Sequence, residues 1–131
     1  MHYLIDTDWA INALGRRRQA GTILRPLFAA GVGLSIVTIG ELYEGAYGSP
    51  NPEAHLERFQ RFLLSFRILG LDDPLIQRFG ELRFQLRRQG ELIPDLDLLI
   101  AATALHHDLT LLTFNRRHFE RISALRLYQP S

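Results

Sequence analysis

Short aliphatic runs alternate along the whole chain with longer segments whose apolar residues recur at helical spacing. Tyr3-Leu4-Ile5, ended by Asp6, reads as a buried strand, and residues 32–37 are rich in β-branched side chains. Arg67-Ile68-Leu69, residues 109–112 and residues 125–128 read as a third, a fourth and a fifth strand. Between them lie helical stretches. One runs to Leu14, with Asp8 placed to cap it. A second covers about residues 22–30, with Ile23, Leu27 and Phe28 at helical spacing, and a third opens at Thr38. From Pro52, residues Leu56, Phe59, Phe62, Leu63 and Phe66 make one apolar face. Asp72-Asp73-Pro74 starts a helix that runs to Gln89, with Ile76, Phe79, Leu82 and Leu86 inward and Gly90 as its stop. Pro94-Asp95 opens a segment that is apolar almost all round, as a buried helix is. Strands alternating with helices mean an α/β fold: a mainly parallel central sheet of about four or five strands flanked by helices. At 131 residues the expectation is one domain, 1–131.

Composition removes several classes. Apolar residues at 47% and charged residues at 22% exclude a disordered tail or a coiled coil. The absence of Cys excludes disulfide scaffolds, thiolate zinc sites and Cys nucleophiles. Fifteen basic residues, every one Arg, face fourteen acidic ones, so any attraction for nucleic acid has to be local. The N-terminus lacks the pattern of a signal peptide, and the apolar stretch at 98–105 is far short of the ~20 residues that span a bilayer. A soluble, cytoplasmic protein without membrane contact is expected.

In an open parallel sheet, function gathers at the carboxyl ends of the strands. Asp6 ends the first strand, Glu41 follows the second, Asp95 and Asp97 open the buried helix, and Asn115 follows the fourth strand. Such oxygen donors suit hard cations such as Mg²⁺ and Mn²⁺. Each residue also has a structural explanation. Asp6 can simply end a strand, and Thr38-x-x-Glu41 matches a capping box. Asp95 and Asp97 suit the first turn of any helix and lie roughly 200° apart around it, so both do not point at one ion. Asn115 can be a turn residue.

The ordered set resembles a PIN domain, and most closely the VapC-type toxins of bacterial toxin–antitoxin pairs. The likeness is carried by Tyr3-Leu4-Ile5-Asp6-Thr7-Asp8 and by Ile36-Val37-Thr38-Ile39-Gly40-Glu41-Leu42-Tyr43-Glu44-Gly45-Ala46. It continues in Asp95-Leu96-Asp97-Leu98-Leu99-Ile100-Ala101-Ala102-Thr103-Ala104-Leu105 and in Leu109-Thr110-Leu111-Leu112-Thr113-Phe114-Asn115-Arg116-Arg117-His118-Phe119. The resemblance implies that Asp6, Glu41 and Asp97 are catalytic and, with Asn115, metal-ligating. It leaves Asp95 as a possible additional acid and Asp8 as a helix cap or an extra charge. The implied activity is that of a Mg²⁺- or Mn²⁺-dependent endoribonuclease that hydrolyses phosphodiesters with activated water. The implied partners are an RNA substrate and a cognate antitoxin protein, with the chain as a homodimer. An RNA-processing nuclease without antitoxin and a non-catalytic binding module of the same fold are the alternatives. None of the five His residues suggests a different chemistry: His106 and His107 suit a helix end, while His2 and His118 stand alone.

An acidic pocket repels RNA unless cations surround it. Arg16, Arg17 and Arg18 follow the Asp6 segment, and Arg116 and Arg117 follow Asn115, so these five are the candidates for RNA binding. Arg83, Arg87 and Arg88 share roughly one helix face and fit a solvated surface equally well.

Overall fold

The computed structural model describes residues 1–15 and 18–129. Its four strands, Tyr3–Ile5 (β1), Val32–Ser35 (β2), Arg67–Leu69 (β3) and Thr110–Leu112 (β4), form one all-parallel sheet in the order β3-β2-β1-β4. The chain lays β1, β2 and β3 outward in sequence, then returns to place β4 on the other side of β1. The order therefore reverses between β1 and β4, and the connections leaving these neighbours part in opposite directions. Open parallel sheets bind ligands in the crevice outside the carboxyl ends of the strands at such a reversal.

The helices are Thr7–Leu14 (α1), Arg18–Leu24 (α2), Ile36–Tyr47 (α3), Pro52–Leu63 (α4), Asp73–Gln89 (α5), Asp95–His106 (α6) and Arg116–Phe119 (α7). They cover both faces of the sheet. Leu4 and Leu111 enter one core with Leu86, Leu98, Ile100 and Phe119, and Ile5 and Leu112 enter the other with Trp9, Leu34, Leu42 and Phe59. Successive residues of a strand point to opposite faces, so a strand buried on both sides must be apolar at every position. That is why the two buried positions of each are consecutive aliphatic residues, Leu4-Ile5 in β1 and Leu111-Leu112 in β4. Ala101, Ala102 and Ala104 of α6 are fully buried, as the all-round apolar pattern requires, whereas Leu96 in its first turn is exposed.

Several boundaries differ from the pattern-based expectation, each for a local reason. The α-helix expected over 22–30 ends at Leu24. Pro26 has no N–H and clashes with a continuing α-helix, so residues Arg25–Ala30 tighten into a 3-10 helix that Gly31 closes at φ 92°. The strand expected over 32–37 stops at Ser35, whose Oγ accepts the Val37 N–H at 3.1 Å and caps α3 from there. The cap outweighs the β-branched Ile36 and Val37, which enter the helix. On α5, Asp72 accepts the Leu75 N–H at 3.0 Å, and Leu75 turns inward while Ile76 is exposed. Gly90, at φ 70°, ends that helix as expected.

The fifth strand does not form. Residues 125–128 make only one isolated parallel bridge, Leu111 with Leu127. The Tyr128 carbonyl accepts from Arg116 Nη1 at 3.0 Å instead of joining the ladder. No helix among the described residues is long and apolar enough to cross a membrane.

Candidate active site

The residues that leave β1 and β4 meet at this reversal of the strand order. Asp6 follows β1 directly and is the N-cap of α1, its Oδ1 accepting the Thr7 N–H at 2.8 Å. Its Oδ2 accepts from the Thr113 hydroxyl at 2.7 Å, across the gap from the end of β4. One carboxylate thus holds the two strand ends together at the point where the chain order reverses. Only 5% of Asp6 is exposed. Burial, and then the neighbouring Asp8 carboxylate, push its carboxyl up from 3.8 to about 7; Asp97 adds to the rise, while the bonds from Thr113 and Thr7 oppose it.

Asp8 does not cap α1, because Asp6 does. Asp8 lies in the first turn, and its Oδ2 accepts the Phe114 N–H at 3.0 Å, which ties the turn after β4 to α1. Its other oxygen, Oδ1, is buried and has no hydrogen-bond partner. Burial holds the Asp8 carboxyl above its ordinary value too.

Glu41 stands in the second turn of α3, not the first, because the helix begins at Ile36. The capping-box explanation of Thr38 and Glu41 therefore fails: Ser35 is the cap. Glu41 Oε1 instead accepts from the Thr7 hydroxyl at 2.5 Å. Thr7 has one hydroxyl proton and spends it on Glu41, so Thr38, 3.0 Å from Thr7 Oγ1, is the donor to Thr7. Asp6 and Glu41 are linked through the backbone and side chain of one residue, Thr7.

Asp97 approaches from α6, and its Oδ2 lies 3.0 Å from His118 Nδ1. Asn115 joins from the turn before α7, with Nδ2 2.8 Å from the same ring nitrogen. His118 does not stand alone, then: its Nδ1 lies between Asp97 and Asn115, donating to the carboxylate when it carries the proton and accepting from the amide when it does not. The sequence signal was the spacing of three from Asn115, one helical turn. Thr7, Thr38 and Thr113 were also missed, since buried threonines carry no pattern of their own.

Asp95 and Asp97 diverge, as their separation around a helix requires. Asp95 pairs with Arg83 Nε of α5 at 2.8 Å, outside the network at the reversal. Arg116 is tied to the Tyr128 carbonyl and to Glu120, 3.4 Å away, whereas Arg117 is exposed. Arg16 and Arg17, and the side chain of Arg18, lie outside the described residues.

The donor set is oxygen-rich and fits a hard divalent cation. Buried carboxylates raise one another's proton affinity, and Asp8 keeps an oxygen with nothing to bind. Among the described residues no group of three or more His, Asp or Glu side chains is placed to hold a metal ion by itself. Mg²⁺ does not need one: it keeps several waters and takes one or two carboxylates together with substrate phosphate.

Comparison with known proteins agrees with this architecture. The family model described as PIN domain matches residues 3–125. "Ribonuclease VapC2" of Haemophilus influenzae is 35% identical over 127 residues, covering 96% of both chains. The structure of VapBC2 from Rickettsia felis bound to a DNA fragment from its promoter contains a chain that is 28% identical, with 98% of each chain covered and a TM-score of 0.91. A toxin-antitoxin complex from Klebsiella pneumoniae contains another, 26% identical, with 98% of this chain and 99% of that one covered and a TM-score of 0.76. With a sheet that reverses at β1 and β4, acids gathered at that reversal and a relative this similar over nearly its whole length, the chain belongs to the PIN-domain family and, within it, to the VapC ribonucleases.

Proposed function

We propose that this protein is the toxin of a toxin–antitoxin pair and that it hydrolyses RNA phosphodiesters endonucleolytically with Mg²⁺ or Mn²⁺. The observation that carries the reading is the coupling of acids from different elements at the β1/β4 reversal. Asp6 is bonded to Thr113, Glu41 to Thr7, and Asp97 to His118. Asp6, Glu41 and Asp97, with Asn115 beside them, would hold the cation, and Asp8 adds charge from α1. The ion would supply neutralisation of the phosphate and activation of water. The protein's own residues do the rest. The Thr113 and Thr7 hydroxyls fix the carboxylate rotamers, which keeps the acids preorganised. His118, with the proton on Nδ1, orients Asp97. Arg117, exposed two residues beyond Asn115, attracts the RNA backbone. Asp95, paired to Arg83, is assigned to the packing of α5 against α6.

The proposal includes a cognate antitoxin, as in the toxin-antitoxin complex that the fold resembles. It also includes a homodimer in the cytoplasm, which light scattering checks against the 15.0 kDa chain mass. The decisive experiment incubates total RNA with wild type and Asp97→Asn, each with and without Mg²⁺. Cuts that need both Mg²⁺ and Asp97 are expected. Wild-type cutting by folded Asp97→Asn protein would overturn the site. Growth arrest on expression, relieved by Asp6→Asn and by a co-expressed antitoxin, separates a toxin from a processing nuclease.

A further inference from the structure

The turn that carries Asn115 also carries an aromatic ring that the chemistry above does not use. Phe114 sits between Thr113, which bonds Asp6, and Asn115, which bonds His118. Its N–H is fixed by Asp8. Its ring lies on that of Trp9 with centroids 4.8 Å apart and planes only 12° from parallel, the offset-stacked arrangement. Trp9 is 3% exposed and its indole N–H has no hydrogen-bond partner, so packing alone sets the position of that ring. Phe114 is 41% exposed although Trp9 covers one face. The result is a flat ring, immobilised from below and from its own backbone, presented to solvent beside the acids.

We infer that Phe114 is a stacking platform for a nucleobase of the RNA substrate, flanking the scissile phosphate. The inference rests on the ribonuclease reading of the site. Single-stranded RNA is held largely by stacking its bases on aromatic rings, and the phosphates of a strand lying across the carboxylates carry their bases within reach of the rim. A ring already stacked on a buried indole loses little freedom when a base is added to its outer face. Stacking tolerates any base, so Phe114 sets where the strand lies and contributes little to which sequence is cut. Phe114 is thus a binding residue, with no part in the bond-breaking step.

The test measures binding in EDTA, so that no RNA is cut. Wild type, Phe114→Leu and Phe114→Tyr are titrated with a single-stranded oligoribonucleotide that spans a mapped cleavage site. The same oligonucleotide is also used with one abasic nucleotide at each flanking position in turn. Phe114→Leu keeps an apolar cover over Trp9 and removes the ring, while Phe114→Tyr keeps both. Phe114→Leu should weaken binding by about 10-fold and Phe114→Tyr should not. At one flanking position the abasic substitution should weaken wild type by a similar factor and leave Phe114→Leu unchanged. Equal affinity of Phe114→Leu and wild type overturns the stacking, with the nuclease reading intact. So does an abasic loss that is the same in both proteins. A wild type that neither binds nor cuts RNA removes the nuclease reading, and the platform with it.

Discussion

Replacing Asp6 by Asn should flatten the dependence of stability on pH, and the structure sets the size of the effect. In the folded protein burial and the Asp8 charge hold the Asp6 carboxyl at about 7, against 3.8 for the exposed group. Between those values the folded state binds a proton that the unfolded state releases. Stability therefore falls as pH rises through this window. The contribution is fully present below the unfolded value and lost above the folded one. Integrating the linkage from pH 5 to pH 7.5 gives on the order of 2–3 kcal/mol lost. For a chain of this length that corresponds to on the order of 8–10 °C in Tm. Asn keeps the shape and can still accept the Thr7 N–H, but it does not titrate. The assay is thermal unfolding by circular dichroism at pH 5 and 7.5 in EDTA. Other groups titrate in both proteins, so the wild-type drop minus the Asp6→Asn drop isolates this residue. Mg²⁺ added at pH 7.5 should recover stability in wild type by mass action, and much less in the variant. Parallel pH profiles for the two proteins would refute the argument, because Asp6 would then be ionised at neutral pH in spite of its burial.

Thr113→Val keeps the shape at that position but removes the donor to Asp6 Oδ2 and the acceptor of the Asn115 N–H. Urea denaturation should show a loss of about 1–3 kcal/mol, and cleavage should fall with it. Asp95→Asn breaks an exposed pair with Arg83, so it should cost at most about 1 kcal/mol and leave cleavage near the wild-type rate. A dead but folded Asp95→Asn protein would return Asp95 to the site. Arg117→Ala should raise the RNA concentration needed for half-maximal cleavage and flatten its salt dependence, with the saturated rate unchanged. Arg116→Ala should lower Tm and leave the salt slope alone, because its guanidinium holds the Tyr128 carbonyl.

The sheet and the buried helix α6 were legible in the sequence. A strand covered on both faces must be apolar throughout, and a helix buried all round cannot hide its composition. Asp6, Glu41, Asp97 and Asn115 stood out as candidates for a related reason: each follows a strand or lies near a helix start that the sequence marks. Tertiary structure decided how they are used. Glu41 looked equally like a capping residue until Ser35 proved to be the cap and Thr7 of another helix its donor. Asp8 looked like a cap, and Asp6 holds that place. Asp95 and Asp97 are chemically identical in the sequence, yet one pairs with Arg83 and the other with His118, because the helix turns them apart. The three threonines carry no periodic signal. Their roles depend on partners up to 107 positions away, as with Thr113 and Asp6, and only the folding of β4 beside β1 brings such pairs within hydrogen-bond distance.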